Sequence, residues 1–360
     1  MASDLVVKRD ALHEVRLDEF ERLPLEEGEA RLRVDRFAFT ANNVTYAVFG
    51  AAMRYWDFFP ASEPSLGRIP VWGFADVVES HAQGVEEGVR VYGYLPMSTD
   101  FVVRPGRVNE RGFTDTFEHR QPMAAAYNAY LDVGTDPVFD ADHEPAMMLL
   151  RPLYYTAFLL DDFLADNGYF GATSVVLSSA SSKTALGTAY FLSQREDIEI
   201  VGLTSPGNAA FVEGLGVYSS VVTYDAADDL PLQPCVFVDI AGDAAVRTAV
   251  HRRFGGQLVH SSAVGGTHWQ AAPPTTDGTL PGAAPSFFFA PDQARKRAGD
   301  WGSAQLDAAF VKLWHRAVGW SEGWLDVREA RGADAVRSAY LEVLEGHSSP
   351  SVGHVLSLHD

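Results

Sequence analysis

The sequence predicts an α/β protein: a doubly wound parallel sheet joined to a β-rich, partly barrel-like domain. Three observations predict it. Strand-like runs alternate with helical ones beyond Pro152. The small-residue run SSASSKTA, at 178–185, separates the first of those strands from the first of those helices. The first 145 residues read instead as short strands punctuated by glycine and proline. A length of 360 residues suits two domains.

The elements follow in order. Residues 30–39 alternate as ARLRVDRFAF, and 71–78 and 89–94 are two further strands. Gly67, Pro70, Gly84, Gly88 and Pro105 mark the turns between them. In the second part, strands are expected at 174–177, 198–203, 220–223, 235–240, 257–260 and 286–289. Helices are expected at 184–194, 209–215 and 244–253. An amphipathic helix covers 303–319, and 334–358 reads as helix, turn and a strand returning to the first domain. The expected division is 1–148, 149–300 and 301–360, with the third segment rejoining the first.

Composition narrows the function. Hydrophobic residues make up 47% and charged residues 21%, which excludes a disordered chain, a coiled coil and a collagen-like fibre. The formal net charge of −20 repels phosphate backbones and anionic lipid, so neither nucleic acid nor a membrane surface is an expected partner. The lone cysteine, Cys235, allows no disulfide within the chain and no cysteine-rich zinc site. The start, MASDLVVKRD, is polar and charged and is followed by no signal-peptide core, and the longest apolar stretch, 146–160, is broken by Arg151 and too short for a bilayer. A soluble, cytoplasmic protein is expected. The eleven histidines form no HExxH or close metal pair, so no metal site is expected, and His143, His268 and His315 read as structural or solvated. No G-x-S-x-G supports a serine hydrolase.

The 175–189 stretch, VVLSSASSKTALGTA, runs from a strand through a tight loop into a helix. Nucleotide-binding α/β folds set a pyrophosphate on the helix N-terminus at this place. Three glycines usually serve the turn, the backbone approach and the helix packing; here Ala180, Ser182 and Ala185 stand for them. All are small, but none takes a positive φ as freely as glycine, so the turn must differ in detail. A P-loop would need glycines where Leu177 and Ser182 stand. Lys183 either offers its charge to a cofactor phosphate or is a solvated lysine in a helix first turn, an unfavourable place for a cation. Ser179, Ser181 and Thr184 complete the candidate cradle. The second strand ends in GLTSPGN, 202–208, without the acid that holds the ribose hydroxyls of NAD. Thr204, Ser205 and Asn208 can donate to a 2′-phosphate, which favours NADP(H); the alternative is an ordinary Ser-Pro-Gly turn.

At this point the order of features resembles the medium-chain dehydrogenase/reductase superfamily, in its zinc-independent, quinone-oxidoreductase-like branch, over nearly the whole chain. The carriers are VWGFADVVESHAQGVEEGVRVYGY (71–94), RPLYYTAFLL (151–160), the 175–189 loop, VFVDIAG (236–242), GGQLVHSSAVGG (255–266) and AYLEVLEGHSSPSVGHVLSL (339–358). SSASSKTA, FFFAPDQARKRAGDWG (287–302) and the closing LEGHSSPSVGHVLSL resemble, more closely, a bacterial family of unassigned function in that branch. The resemblance implies a Rossmann-type sheet plus a GroES-like domain. Gly73-Phe74-Ala75 stands where the zinc branch has Gly-His-Glu, and that branch's catalytic cysteine and four-cysteine lobe have no counterpart.

The implied reaction is hydride transfer from NADPH to an enone, quinone or related small-molecule substrate. Tyr46 is then the candidate proton donor beside Asn42 and Asn43, with 40–47 a loop over the nicotinamide; the alternative is a packed tyrosine among Phe49, Tyr55, Trp56, Phe58 and Phe59, aromatics that form either the wall of an apolar substrate pocket or, the better reading for each, first-domain core. Tyr154 and Thr156 occupy a helix near the nicotinamide, where Thr156 would bond the carboxamide. Tyr224 resembles a tyrosine along the adenosine phosphate. Asp239 either caps a turn or touches the ribose, beside Ala241 and Gly242. Ser261 and Ser262 edge the cofactor crevice, and Phe288, between Phe287 and Phe289, flanks the nicotinamide or fills a buried strand. Arg295-Lys296-Arg297 binds an anionic substrate group or pairs with Asp292 and Asp300. Related reductases suggest a homodimer. Two other readings stand beside the enzyme: a non-catalytic NADPH-binding redox sensor, and a protein of this fold that takes another phosphorylated ligand.

Overall fold

The computed structural model describes residues 2–196, 198–265 and 280–360; Gly266 and His268, named above, lie outside them. In chain order the strands are β1 (Ala2–Lys8), β2 (Ala11–Phe20), β3 (Ala30–Phe39), β4 (Leu66–Gly67), β5 (Pro70–Ser80), β6 (Arg90–Pro96), β7 (Asp100–Val103), β8 (Pro105–Asn109), β9 (Gly112–Asp115) and β10 (Ala129–Asp132). Then come β11 (Ser174–Ser178), β12 (Glu199–Thr204), β13 (Ser220–Thr223), β14 (Cys235–Asp239), β15 (Leu258–Ala263), β16 (Pro285–Phe287), β17 (Asp326–Arg331) and β18 (Val352–Ser357). The helices are α1 (Ala41–Val48), α2 (Glu144–Asp166), α3 (Lys183–Leu192), α4 (Ala209–Gly214), α5 (Ala244–Phe254), α6 (Ala290–Trp301), α7 (Ser303–Ser321) and α8 (Ala333–Leu344).

The chain forms two compact units, Met1–Leu149 with Leu325–Asp360, and Leu150–Trp324. The first unit carries a large sheet in the order β17-β18-β3-β5-β6-β10-β9-β8, with β7 also on β3, and a small sheet β2-β1-β4. Inward-facing Leu32, Val34, Phe37, Phe39, Val71 and Val91 fill its core. The carboxylate of Glu144, at the first turn of α2, binds Arg36 and Arg90, and acidic charge is stabilised there by the helix dipole.

The second unit is a six-stranded sheet in the order β13-β12-β11-β14-β15-β16, every pair parallel. β11 and β14 are buried at every residue, as the near-continuous apolar runs of a sheet covered on both faces require. Val176, Val201, Leu203, Phe237, Val250 and Phe254 share one core cluster. Gly187 lets α3 approach α2: a Cβ there would stand 2.6 Å from the Tyr154 ring.

Three expectations need correction. Residues 40–47 form no loop: α1 begins at Ala41, because Asn43 Oδ1 accepts from the Thr40 N–H at 2.8 Å and caps the first turn. The second unit ends at Trp324 rather than at 300, because α7 packs its Phe310 on Tyr155 and Phe158, and its Trp314 on Tyr154. The opening residues, read only as polar, form the hairpin β1–β2, with Leu5, Val6 and Val7 buried.

Candidate functional site

In the second unit the strand order reads third, second, first, fourth, fifth, sixth, so the direction of winding reverses between β11 and β14. Ligands of open α/β sheets bind at the carboxyl edge of such a switch point. The 178–185 loop leaves β11 there. Ser178 is fully buried, and its Oγ donates to Asp239 Oδ1 at 2.9 Å while accepting from the N–H groups of Ile240 and Ala241 at 2.9 and 3.0 Å. Asp239 Oδ1 also accepts from the Gly242 N–H at 3.0 Å, and Oδ2 takes the Arg247 Nε at 2.7 Å. Asp239 thus caps the turn after β14 and fixes Ala241 and Gly242 at the crevice edge.

The turn itself falls one residue earlier than the glycine template suggests. Ser179, not Ala180, takes the left-handed conformation, at φ 51°. That conformation costs a non-glycine residue about 1–2 kcal/mol. Neighbours hold it: the Ser179 N–H donates to the Tyr224 hydroxyl at 3.0 Å, the Ala180 N–H to the Leu203 carbonyl at 3.1 Å, and the Tyr218 hydroxyl to the Ala180 carbonyl at 2.8 Å. Asn208 Nδ2 donates to Ser181 Oγ at 3.0 Å, tying the end of β12 to the loop. Gly202 makes room below, since a Cβ there would lie 3.1 Å from the Ala180 Cβ and 2.9 Å from the Tyr218 ring. Ser182 is the N-cap of α3, its Oγ accepting from the Ala185 N–H. Lys183 follows at the first helical position, half-buried, and loss of hydration brings its ammonium down to about 8. Thr184 is half-buried beside it, and Thr204 is buried where β12 ends, with Ser205 half-buried after it. Burial pushes the Tyr224 hydroxyl up to about 12.

Other expected residues have internal partners. Ser261 and Ser262 are buried with their hydroxyls on His251 Nε2 (3.1 Å) and His260 Nε2 (2.9 Å). The Phe288 ring packs 5.4 Å from Phe163, the buried-strand alternative. The Thr156 hydroxyl donates to the Pro152 carbonyl at 3.1 Å, and the buried Tyr154 hydroxyl meets Ser321 Oγ at 2.8 Å. The basic run is neutralised by acids: Arg297 by Asp162, Asp166 and Asp300, Lys296 by Asp166 and Asp300, and Arg295 by Asp292.

In the first unit, Asn43 is spent on structure, with Nδ2 donating to the Pro70 carbonyl at 3.0 Å in addition to its capping role. Tyr46 is buried, with ring centroids 4.6 Å from Tyr55 and 5.6 Å from Tyr94. Burial, reinforced by Tyr55, raises its hydroxyl well above the usual tyrosine value and keeps it protonated. Sequence reasoning missed Ser178, Tyr218 and Arg247. A polar residue closing a buried strand was the available sign for Ser178; the other two have no local sign. Among the described residues no helix is long and apolar enough to cross a membrane, and no group of three or more His, Cys, Asp or Glu could hold a metal ion.

A family model described as "Protein of unknown function (DUF2855)" matches residues 37–349. No curated protein matches the sequence. Solved structures align over nearly the full length. CurA from Vibrio vulnificus in complex with NADPH does so at 13% identity, covering 99% of this chain and 99% of that chain, with TM-score 0.65. A Pseudomonas syringae pv. tomato DC3000 quinone oxidoreductase aligns at 13% identity, covering 99% and 100%, with TM-score 0.58. The yhdH oxidoreductase from Salmonella enterica in complex with NADP aligns at 12% identity, covering 99% and 99%, with TM-score 0.55. These likenesses are of fold: a Rossmann-type sheet plus a GroES-like domain, as in medium-chain reductases.

Proposed function

The chain belongs to the DUF2855 family, and we propose that this member is a zinc-independent, NADPH-dependent oxidoreductase that reduces an unsaturated carbonyl or a quinone. One observation carries the proposal. A small-residue loop leaves the first strand of a parallel sheet at its switch point and sets a dehydrated lysine in the first turn of the next helix. A dehydrated cation beside helix N–H groups favours an anionic phosphate. Gly202, without a Cβ, keeps Ala180 low, so the small side chains of the loop suit the close backbone approach of a pyrophosphate.

In this reading Ser179, Ala180, Ser181, Ser182, Lys183 and Thr184 hold the pyrophosphate. Thr204, Ser205 and Asn208 face the 2′-phosphate in place of an acid, and Tyr224, Ala241 and Gly242 border the adenosine half. Ser261, Ser262 and Phe288 shape the far edge through their backbone and bulk. When bound, NADPH supplies a hydride. The chain supplies the proton: Tyr46 carries it through the neutral pH range, and its transfer to the enolate or quinol oxygen needs a bound substrate to relieve the burial that holds the hydroxyl above its usual value. Asn43 fixes the first turn of the helix that carries Tyr46. The Thr156 hydroxyl, donating to the Pro152 carbonyl, is left to accept from a carboxamide N–H.

The solved structures named above support the cofactor class through what two of them contain. The test is NADPH oxidation with a panel of enones and quinones, followed by absorbance. Turnover is expected with at least one, and Tyr46→Phe is expected to lower kcat about 100-fold. A Tyr46→Phe rate equal to that of the unsubstituted chain removes the tyrosine from proton transfer, and no turnover across the panel removes the reductase.

A further inference from the structure

Between β11 and α3, residues 179–182 carry four backbone N–H groups, and three are spent inside the protein. The Ser179 N–H donates to the Tyr224 hydroxyl at 3.0 Å, the Ala180 N–H to the Leu203 carbonyl at 3.1 Å and the Ser182 N–H to the Ser179 carbonyl at 2.8 Å. The Ser181 N–H has no acceptor among the described residues. It is the loop donor left for a ligand.

Tyr218 sets the direction of that N–H. It stands in the turn before β13, and its ring lies over Gly202 in the middle of β12, where a Cβ would come within 2.9 Å of it. Its hydroxyl donates to the Ala180 carbonyl at 2.8 Å. A carbonyl can only accept, so this bond needs the phenolic proton, and burial raises the hydroxyl well above its ordinary value and keeps the proton there. Both polar groups of Ala180 are therefore anchored, one on β12 and one on the ring that crosses it.

A trans peptide points its C=O and its N–H in opposite directions, and no described peptide is cis. With the Ala180 carbonyl held toward Tyr218, the Ser181 N–H is turned to the opposite side, away from that ring. A half-turn of this one peptide would exchange the two groups and put a carbonyl oxygen where the donor now stands. The first arrangement attracts an anion and the second repels one. Glycine-bearing loops of nucleotide-binding folds take their course unaided. Here Ser179 is held at φ 51° without a glycine's freedom, so the backbone depends on bonds from outside the loop.

We propose that Tyr218 is a positioning residue of the cofactor site: its hydroxyl fixes the Ala180–Ser181 peptide so that the Ser181 N–H, and not the Ala180 carbonyl, meets the pyrophosphate. This rests on the dinucleotide reading of the loop, and it adds a residue and a donor atom which that reading leaves unassigned.

The test is calorimetric titration of two ligands into the full chain and into Tyr218→Phe. Phenylalanine keeps the ring over Gly202 and removes only the hydroxyl. One ligand is NADPH; the other is adenosine 2′-monophosphate, which has the adenine, the ribose and the 2′-phosphate but no pyrophosphate. Loss of one neutral hydrogen bond predicts about fivefold weaker NADPH binding in the variant, with adenosine 2′-monophosphate bound within about twofold of its original affinity. The thermal midpoint, followed alongside, is expected to fall by no more than about 4 °C, which separates positioning from unfolding. Equal NADPH affinity in the two proteins, or equal weakening of both ligands, overturns the role of Tyr218 while the cofactor reading stands. No NADPH binding to the unsubstituted chain removes the cofactor reading and this proposal with it.

Discussion

The loop at the edge of the parallel sheet and the tyrosine cluster of the first unit spend their polar groups in opposite ways. Around the loop, hydroxyls bond the protein itself: Ser178 to the turn after β14, Tyr224 to the Ser179 N–H, Tyr218 to the Ala180 carbonyl. The charge of the loop is in Lys183, a half-buried lysine stripped of part of its hydration. In the ring cluster around Tyr94 the charge is consumed, in the Arg120–Asp115 pair, whose guanidinium also donates to the Tyr127 carbonyl, and the buried Tyr94 hydroxyl is left without a partner. Under the proposed function, the loop is the region that would take an anion.

The sharpest way to break the contrast is to remove the buried charge. Arg120→Met leaves Asp115, 1% exposed at its side chain, without its partner. Breaking a buried pair from one side costs about 3–5 kcal/mol, read from denaturant unfolding. A loss below ~1 kcal/mol would mean the guanidinium is not the anchor of the cluster.

A smaller effect is expected below the loop. Gly202→Ala puts a methyl 3.1 Å from the Ala180 Cβ and 2.9 Å from the Tyr218 ring. Overpacking of this kind costs about 1–3 kcal/mol, and the displaced Ala180 should also weaken NADPH binding. Unchanged stability with unchanged affinity would show that the loop floor has slack.

The smallest effect is a pH dependence. The Lys183 ammonium titrates at about 8 in the folded chain, against 10.5 for an ordinary lysine. A phosphate favours the charged form, so above pH 8 binding must take up a proton. NADPH affinity is expected to be level below that pH and to weaken above it, by at most about tenfold per pH unit. The sign for stability is the reverse: between about 8 and 10.5 the unfolded chain holds more protons, so the unliganded fold gains stability as pH rises. Affinity that stays level from pH 7 to 9.5 would take Lys183 out of the anion site.

The two regions also differ in how far the sequence discloses them. The parallel sheet follows from local patterns, and all six of its strands fall within a few residues of the β-branched runs that announce them. The loop is legible as a place, and so is the need for its turn to depart from the glycine pattern, but which residue turns left-handed is not, because without glycine nothing local separates Ser179 from Ala180. Capping by Thr40 and Asn43 is visible in the spacing once a helix is considered. The Tyr127–Arg120 arrangement is not visible at all. Of its partners, 72 and 94 are brought together by the pairing of β5 with β6, and 94 is brought near 127 by the pairing of β6 with β10. A charged residue in a motif-free connection gives no sign that it will be 1% exposed. Tyr46 is found by resemblance, with its aromatic neighbours read as pocket wall or core; the unpaired Tyr94 hydroxyl exists only in three dimensions.

The anion site is the claim on which the rest depends, and it is tested most directly by titrating the purified chain with NADPH and NADH by calorimetry beside Lys183→Ala. NADPH should bind well above NADH, and the substitution should weaken it by about 10- to 100-fold, the worth of a hydrogen-bonded charge. Binding of neither dinucleotide, or equal NADPH affinity in the variant, would contradict the account.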